Sequence, residues 1–128
     1  MLSAVAAISG LYDFVVGAFL LVGAHSMAAL FALSPANPRI FSDLNAIFLM
    51  AVGIGYVLPW RDAGRYRGYM WVMGPLLKSA GAAAFLAHYF LRGAPRSFLL
   101  FAASDGILAI VTLVALLRSE PGSGRVWR

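Results

Sequence analysis

The stretch YMWVMGPLLKSAGAAAFLAHYFL, residues 69–91, is apolar almost throughout and carries near its middle Lys78, the only lysine in the chain. A helix rises about 1.5 Å per residue, so about 20 apolar residues cross a hydrocarbon core of about 30 Å. Residues 69–91 are therefore long enough to span a membrane. Within such a span an unpaired cation costs at least about 2.5 to 3.5 kcal/mol. The stretch thus sets two expectations, a lipid-embedded helix and a partner for Lys78 elsewhere in the chain.

Three further blocks match it in length and character: Ser3–Ala24, Leu44–Trp60 and Phe98–Leu117. They are continuously apolar and rich in Ala, Leu, Gly and Phe, without the every-second-residue alternation of barrel strands. The composition agrees, with 62% hydrophobic and 12% charged residues against roughly a quarter charged in a soluble domain. The expected fold is an all-α membrane protein, an antiparallel bundle of four transmembrane helices over residues 1–118, followed by a polar C-terminal tail at 119–128. The first apolar run continues from Leu2 to Leu33, too long for one upright helix. It breaks most naturally at Gly23-Ala24-His25-Ser26, which leaves Met27–Leu33 as a short interfacial helix between helices one and two. Ser42 and Asp43 offer an N-cap for the second span. The turn Arg92-Gly93-Ala94-Pro95-Arg96 is short enough to make the third and fourth spans neighbours.

The net charge of +5 does not point to nucleic acid. Arg39, Arg61, Arg65, Arg67, Arg92, Arg96, Arg118, Arg125 and Arg128 all lie in loops or at block ends, where arginines set topology and anchor to headgroups. Six of the nine fall on the side of the termini and the second loop, which favours both termini in the cytoplasm. Tyr56, Trp60, Tyr66, Tyr69 and Trp71 cluster around the second loop and read as an aromatic belt. With no cysteine in the chain, disulfides, thiolate metal sites, iron–sulfur clusters and thiol redox chemistry are excluded from it. The first block lacks a basic n-region and contains Asp13, so it reads as a retained anchor rather than a cleaved signal.

Lys78 has two candidate partners at membrane depth, Asp13 in the first block and Asp105 in the fourth. Counting from block ends at about 1.5 Å per residue puts Lys78 roughly 14 Å and Asp13 roughly 15 Å from the same face. Asp105 falls roughly 6 Å from the level of Lys78, within reach of a lysine side chain. Gly74, Lys78, Gly81, Phe85 and His88 share one helical stripe, and Ala6, Ser9, Asp13, Gly17 and Ala24 share another. The two stripes predict an intramembrane polar cluster of Asp13, Lys78 and Asp105, with Asn45 and Thr112 as hydrogen-bonding neighbours. Such a cluster either fixes helix register or binds a polar group. His25 and His88 sit at similar depth, as a pair of outer-side haem or metal ligands would. His25, however, lies about 120° around its helix from Asp13, which favours two separate interfacial histidines. No phosphate loop, metal-ligand spacing or nucleophile–base pair is present, so no catalytic residue, metal or cofactor is specified.

The layout resembles the DoxX-like small four-helix proteins of bacterial inner membranes. The resemblance is carried by Leu11-Tyr12-Asp13-Phe14-Val15-Val16-Gly17, the segment Ala29–Pro35, Gly53-Ile54-Gly55-Tyr56 running into Arg61-Asp62, and Lys78 in the third span. It implies a four-helix membrane fold and, for some members, association with quinone-linked sulfur oxidation or other respiratory modules. The leading functional expectation is a non-catalytic accessory or structural subunit of a larger membrane complex, docking through small-residue faces among membrane lipids. The alternative is a binder of lipid, quinone or another small hydrophobic ligand in a cavity lined by Asp13, Lys78 and Asp105. An enzyme or proton-coupled carrier ranks behind both.

Overall fold

In a computed structural model the chain is helical, and residues 1–119 are the described part. The expected polar tail lies, apart from Ser119, outside the described residues. Four helices are long and apolar enough to cross a membrane. With one short helix between the first two, they are α1 (Leu2–Val22), α2 (Ala24–Leu30), α3 (Ile40–Arg61), α4 (Arg67–Arg92) and α5 (Ser97–Arg118). Among the described residues there is no strand. The chain therefore has the make-up of a multi-pass membrane protein, as the four apolar blocks predict.

The long first apolar run divides at Gly23, the first residue of the break read in the sequence, and α2 is set three residues earlier than Met27–Leu33. The segment closes with Ala32 in the left-handed region, φ 53°, where Leu33 N–H reaches back to the Ala28 carbonyl at 2.8 Å. That bond satisfies a carbonyl the helix end would otherwise leave open. Helix α3 begins at Ile40, with no side-chain cap from Ser42 or Asp43. Asp43 sits instead in the first turn and pairs with Arg39 at 3.5 Å, a placement favoured by the positive end of the helix dipole. The extra turn lengthens the second span beyond the Leu44–Trp60 block.

Close approach holds α1 to α3. A Cβ on Gly10 would stand 2.9 Å from the Gly53 carbonyl oxygen, and one on Gly53 would stand 2.7 Å from the Gly10 carbonyl oxygen. Seven residues along, a Cβ on Gly17 would stand 2.7 Å from the Ala46 carbonyl oxygen. Backbones this near exclude any side chain at the contact. Around the Gly10–Gly53 contact the four spans form a dense core of Leu2, Val5, Ala6, Tyr56, Met70 and Leu116. Tyr56 is 1% exposed and meets Tyr69 edge to face at 5.2 Å, while Tyr69 donates to the Val52 carbonyl at 2.6 Å. These two tyrosines therefore belong to the core and not to the aromatic belt. Trp60 and Trp71 are exposed, as belt residues are.

Helix α4 contains Pro75 inside one π-helical stretch, Val72–Leu76. Proline has no N–H and clashes with the carbonyl one turn back, and a wider turn is one way a helix absorbs it. Because that turn holds more residues than an α-turn, it shifts the angular position of everything beyond it, Leu77 and Lys78 first. The helix ends at Gly93, φ 64°, a conformation a glycine adopts without penalty.

Candidate functional site

Away from the dense core the helices enclose a cavity of about 660 Å³, within the range typical of ligand pockets. Its location follows from which helices touch. Helix α1 packs on α3, α4 packs on α5, and α1 meets α5, whereas α3 and the Leu77–Arg92 part of α4 barely meet. Phe48 on α3 and Ala80 on α4 line the cavity and are themselves exposed. The chamber is thus open sideways between α3 and α4. Met27, Leu33 and Ser34, from α2 and the turn after it, cover one side. That cover is fastened to α5, because Ser97 Oγ donates to the Phe31 carbonyl at 2.6 Å and the Phe31 and Phe101 rings lie 4.9 Å apart.

Polar groups gather at one wall. Lys78 Nζ donates to Asp13 Oδ1 at 2.7 Å, and the two side chains are only 5% and 4% exposed. The pair supplies the partner that Lys78 requires at membrane depth, since a buried cation is tolerated when paired and hydrogen-bonded. The Lys78 ammonium also lies 5.4 Å from the centre of the Tyr12 ring, a favourable position for a cation. Tyr12 Oη and Ser104 Oγ are 2.8 Å apart. The Ser104 hydrogen is spent on the Phe101 carbonyl at 2.9 Å, so Tyr12 is the donor between them.

Asp105 lines the same cavity but stands apart from the pair. Among the described residues it makes no side-chain hydrogen bond or ion pair, and Lys78 reaches Asp13 alone. Its carboxylate rests over Gly81, where a Cβ would stand 2.8 Å from Oδ2. Asn45 also lines the cavity, at its exposed rim. Thr112 does not join the group. It donates back to the Leu108 carbonyl at 2.7 Å and packs on Gly74 in the interhelical contact.

The two histidines go separate ways. His25, at the start of α2, lines a smaller groove of about 360 Å³ with Arg39 and Ser42. His88 is exposed on α4 rather than turned inward, its ring 6.3 Å from that of Phe98. His88 lies ten residues beyond Lys78 on one regular helical segment, about 80° around it, and the separation of α3 from this part of α4 leaves that end of the stripe at the surface. Neither cavity is lined by both histidines. No group of three or more His, Cys, Asp or Glu suited to a metal occurs among the described residues.

Two structural residues escaped the sequence reading. Pro75 precedes Lys78 by three positions and sets its angle; a proline inside an apolar run was the available signal. Arg67, read as a topology charge, donates to the Leu116 carbonyl and to Ser119 Oγ, closing the end of α5 against the start of α4. Helix C-termini present unsatisfied carbonyls that attract such cations. No protein-family model, no curated protein and no solved structure matches this chain.

Proposed function

We propose that this chain is a small bacterial inner-membrane protein, of the kind its DoxX-like motifs suggest, that binds a lipid, quinone or other small amphiphile within its bundle. One observation carries the reading: an apolar chamber of about 660 Å³ opens sideways between α3 and α4 and ends on a wall holding Asp105, Tyr12, Ser104 and the Asp13–Lys78 pair. An amphiphile reaches it sideways from the bilayer, lays its apolar part against Leu20, Leu49, Phe85 and Phe98, and sets its polar end against that wall. Successive spans run antiparallel in this reading. Gly10 facing Gly53 while Gly17 faces Ala46 supports opposite directions for α1 and α3, and the Gly93 turn supports the same for α4 and α5. Helix α2 lies at the headgroup level, and both termini are cytoplasmic by the arginine balance.

An accessory-subunit role draws on small-residue faces. Gly10, Gly17, Gly53 and Gly74 are occupied inside the bundle, while Ser79, Ala80, Ala83, Ala84 and Ala87 are small residues exposed on α4. Small residues alone name no partner, whereas the chamber and its polar wall form a defined site, so the ligand-binding reading leads. It is tested with the purified full chain in detergent and the neutral fluorescent probe N-phenyl-1-naphthylamine. Saturable binding that weakens at least about tenfold in the chamber-filling variant Leu49→Trp is the expected result. Equal uptake by a monodisperse Leu49→Trp variant would overturn it, and a polypeptide co-purifying in fixed stoichiometry would favour the subunit role.

A further inference from the structure

We infer that the amphiphile is a lipophilic cation, recognised by Asp105 and the phenylalanines beside it. The inference rests on the ligand-binding reading above and names the chemistry of the head. Three charged residues line the chamber: Asp13, Lys78 and Asp105. The first two neutralise each other at 2.7 Å and are 4% and 5% exposed, so an occupant meets almost nothing of either charge. Asp105 is half-buried and without an ion pair or side-chain hydrogen bond among the described residues. The wall therefore presents, beside Tyr12, Ser104 and the closed Asp13–Lys78 pair, one carboxyl group that no cation contacts.

A carboxylate only accepts hydrogen bonds. An anionic head would be repelled by it, and a neutral head could at most donate a hydrogen bond without supplying a counter-charge. A cationic head supplies the missing counter-charge. The neighbouring surface is suited to the same occupant. Phe85, Phe98 and Phe101 form a contiguous aromatic group, with Phe85 5.3 Å from each of the other two, and all three line the chamber. Aromatic faces attract alkyl- and arylammonium or phosphonium groups, and the attraction grows where water is excluded. The glycine at position 81 holds the carboxylate at this wall, since a Cβ there would stand 2.8 Å from Oδ2 and displace it.

The test uses an isosteric pair of opposite charge, tetraphenylphosphonium and tetraphenylborate, with the purified full chain in a neutral detergent. Saturable phosphonium binding, at least about tenfold tighter than borate binding, is expected. Asp105→Asn should bring the two affinities together. Phe98→Leu should weaken phosphonium binding several-fold while borate changes little; it provides the readout should Asp105→Asn fail to fold. Equal affinities in the wild type, or a phosphonium preference untouched by both variants, would overturn the cation assignment while leaving a ligand chamber in place. If the neutral naphthylamine probe and both ions all fail to saturate, the chamber is not a binding site and both proposals fall together.

Discussion

The two halves of the bundle are built from the same apolar alphabet and differ in how closely the backbones approach. In one half Gly10 and Gly53 bring α1 against α3, and Tyr56, Met70 and Leu116 fill the remaining space to near-complete burial. In the other, α3 and α4 part and Phe48, Leu49, Phe85 and Phe98 line an opening between them. Lipid tails are as apolar as leucine, so hydrophobicity alone does not drive helices together in a membrane. Small residues at the contact close one half. Where the facing residues are bulky and a buried charge pair must be housed, the other half stays hollow.

The sharpest way to break the contrast is to place bulk at the tight contact. Gly53→Leu sets a side chain where even a Cβ would stand 2.7 Å from the Gly10 carbonyl oxygen. We expect a loss of about 3 kcal/mol or more and no monodisperse peak in size-exclusion chromatography. Gly106→Leu, at a position with nothing within 4 Å of a Cβ, should elute as the wild type does.

The charge pair comes next. Lys78→Met strands Asp13 at membrane depth, a change expected to cost about 3 to 5 kcal/mol by analogy with other buried pairs, read by denaturant titration in detergent. The double variant Asp13→Leu/Lys78→Met removes both charges and should recover most of that loss. A double variant no more stable than Lys78→Met would show that the pair contributes more than mutual neutralisation.

Smaller effects are expected in the hollow half. Leu49→Trp adds volume into open space and should move the unfolding midpoint by the equivalent of about 1 kcal/mol or less, in contrast to the same bulk at Gly53. Tyr12→Phe removes the donor to Ser104 and should cost about 1 kcal/mol in the same titration, leaving the Asp13–Lys78 pair intact. A drop as large as that of Lys78→Met would mean that the polar wall acts as one network.

The sequence by itself determined the number of apolar helices, the break near Gly23 and the need of Lys78 for a carboxylate. These follow from span length, helix-breaking residues and the cost of a charge in hydrocarbon, all of which are local to a segment or to its composition. Depth counting also brought Asp13 level with Lys78, because axial rise depends only on residue number. Angle was harder to read. Lys78 and His88 lie on the same regular helical segment beyond Pro75, and ten residues at 100° set them about 80° apart, so His88 falls at the edge of the inward face and is exposed where the bundle widens. Only the tertiary structure decided that Lys78 chooses Asp13 and leaves Asp105 unbonded, that Tyr56 and Tyr69 are core rather than belt, and that a chamber opens between α3 and α4. Each of these depends on how near two helices come and which faces they turn to one another, and those quantities are set by side chains distant in the chain meeting in space.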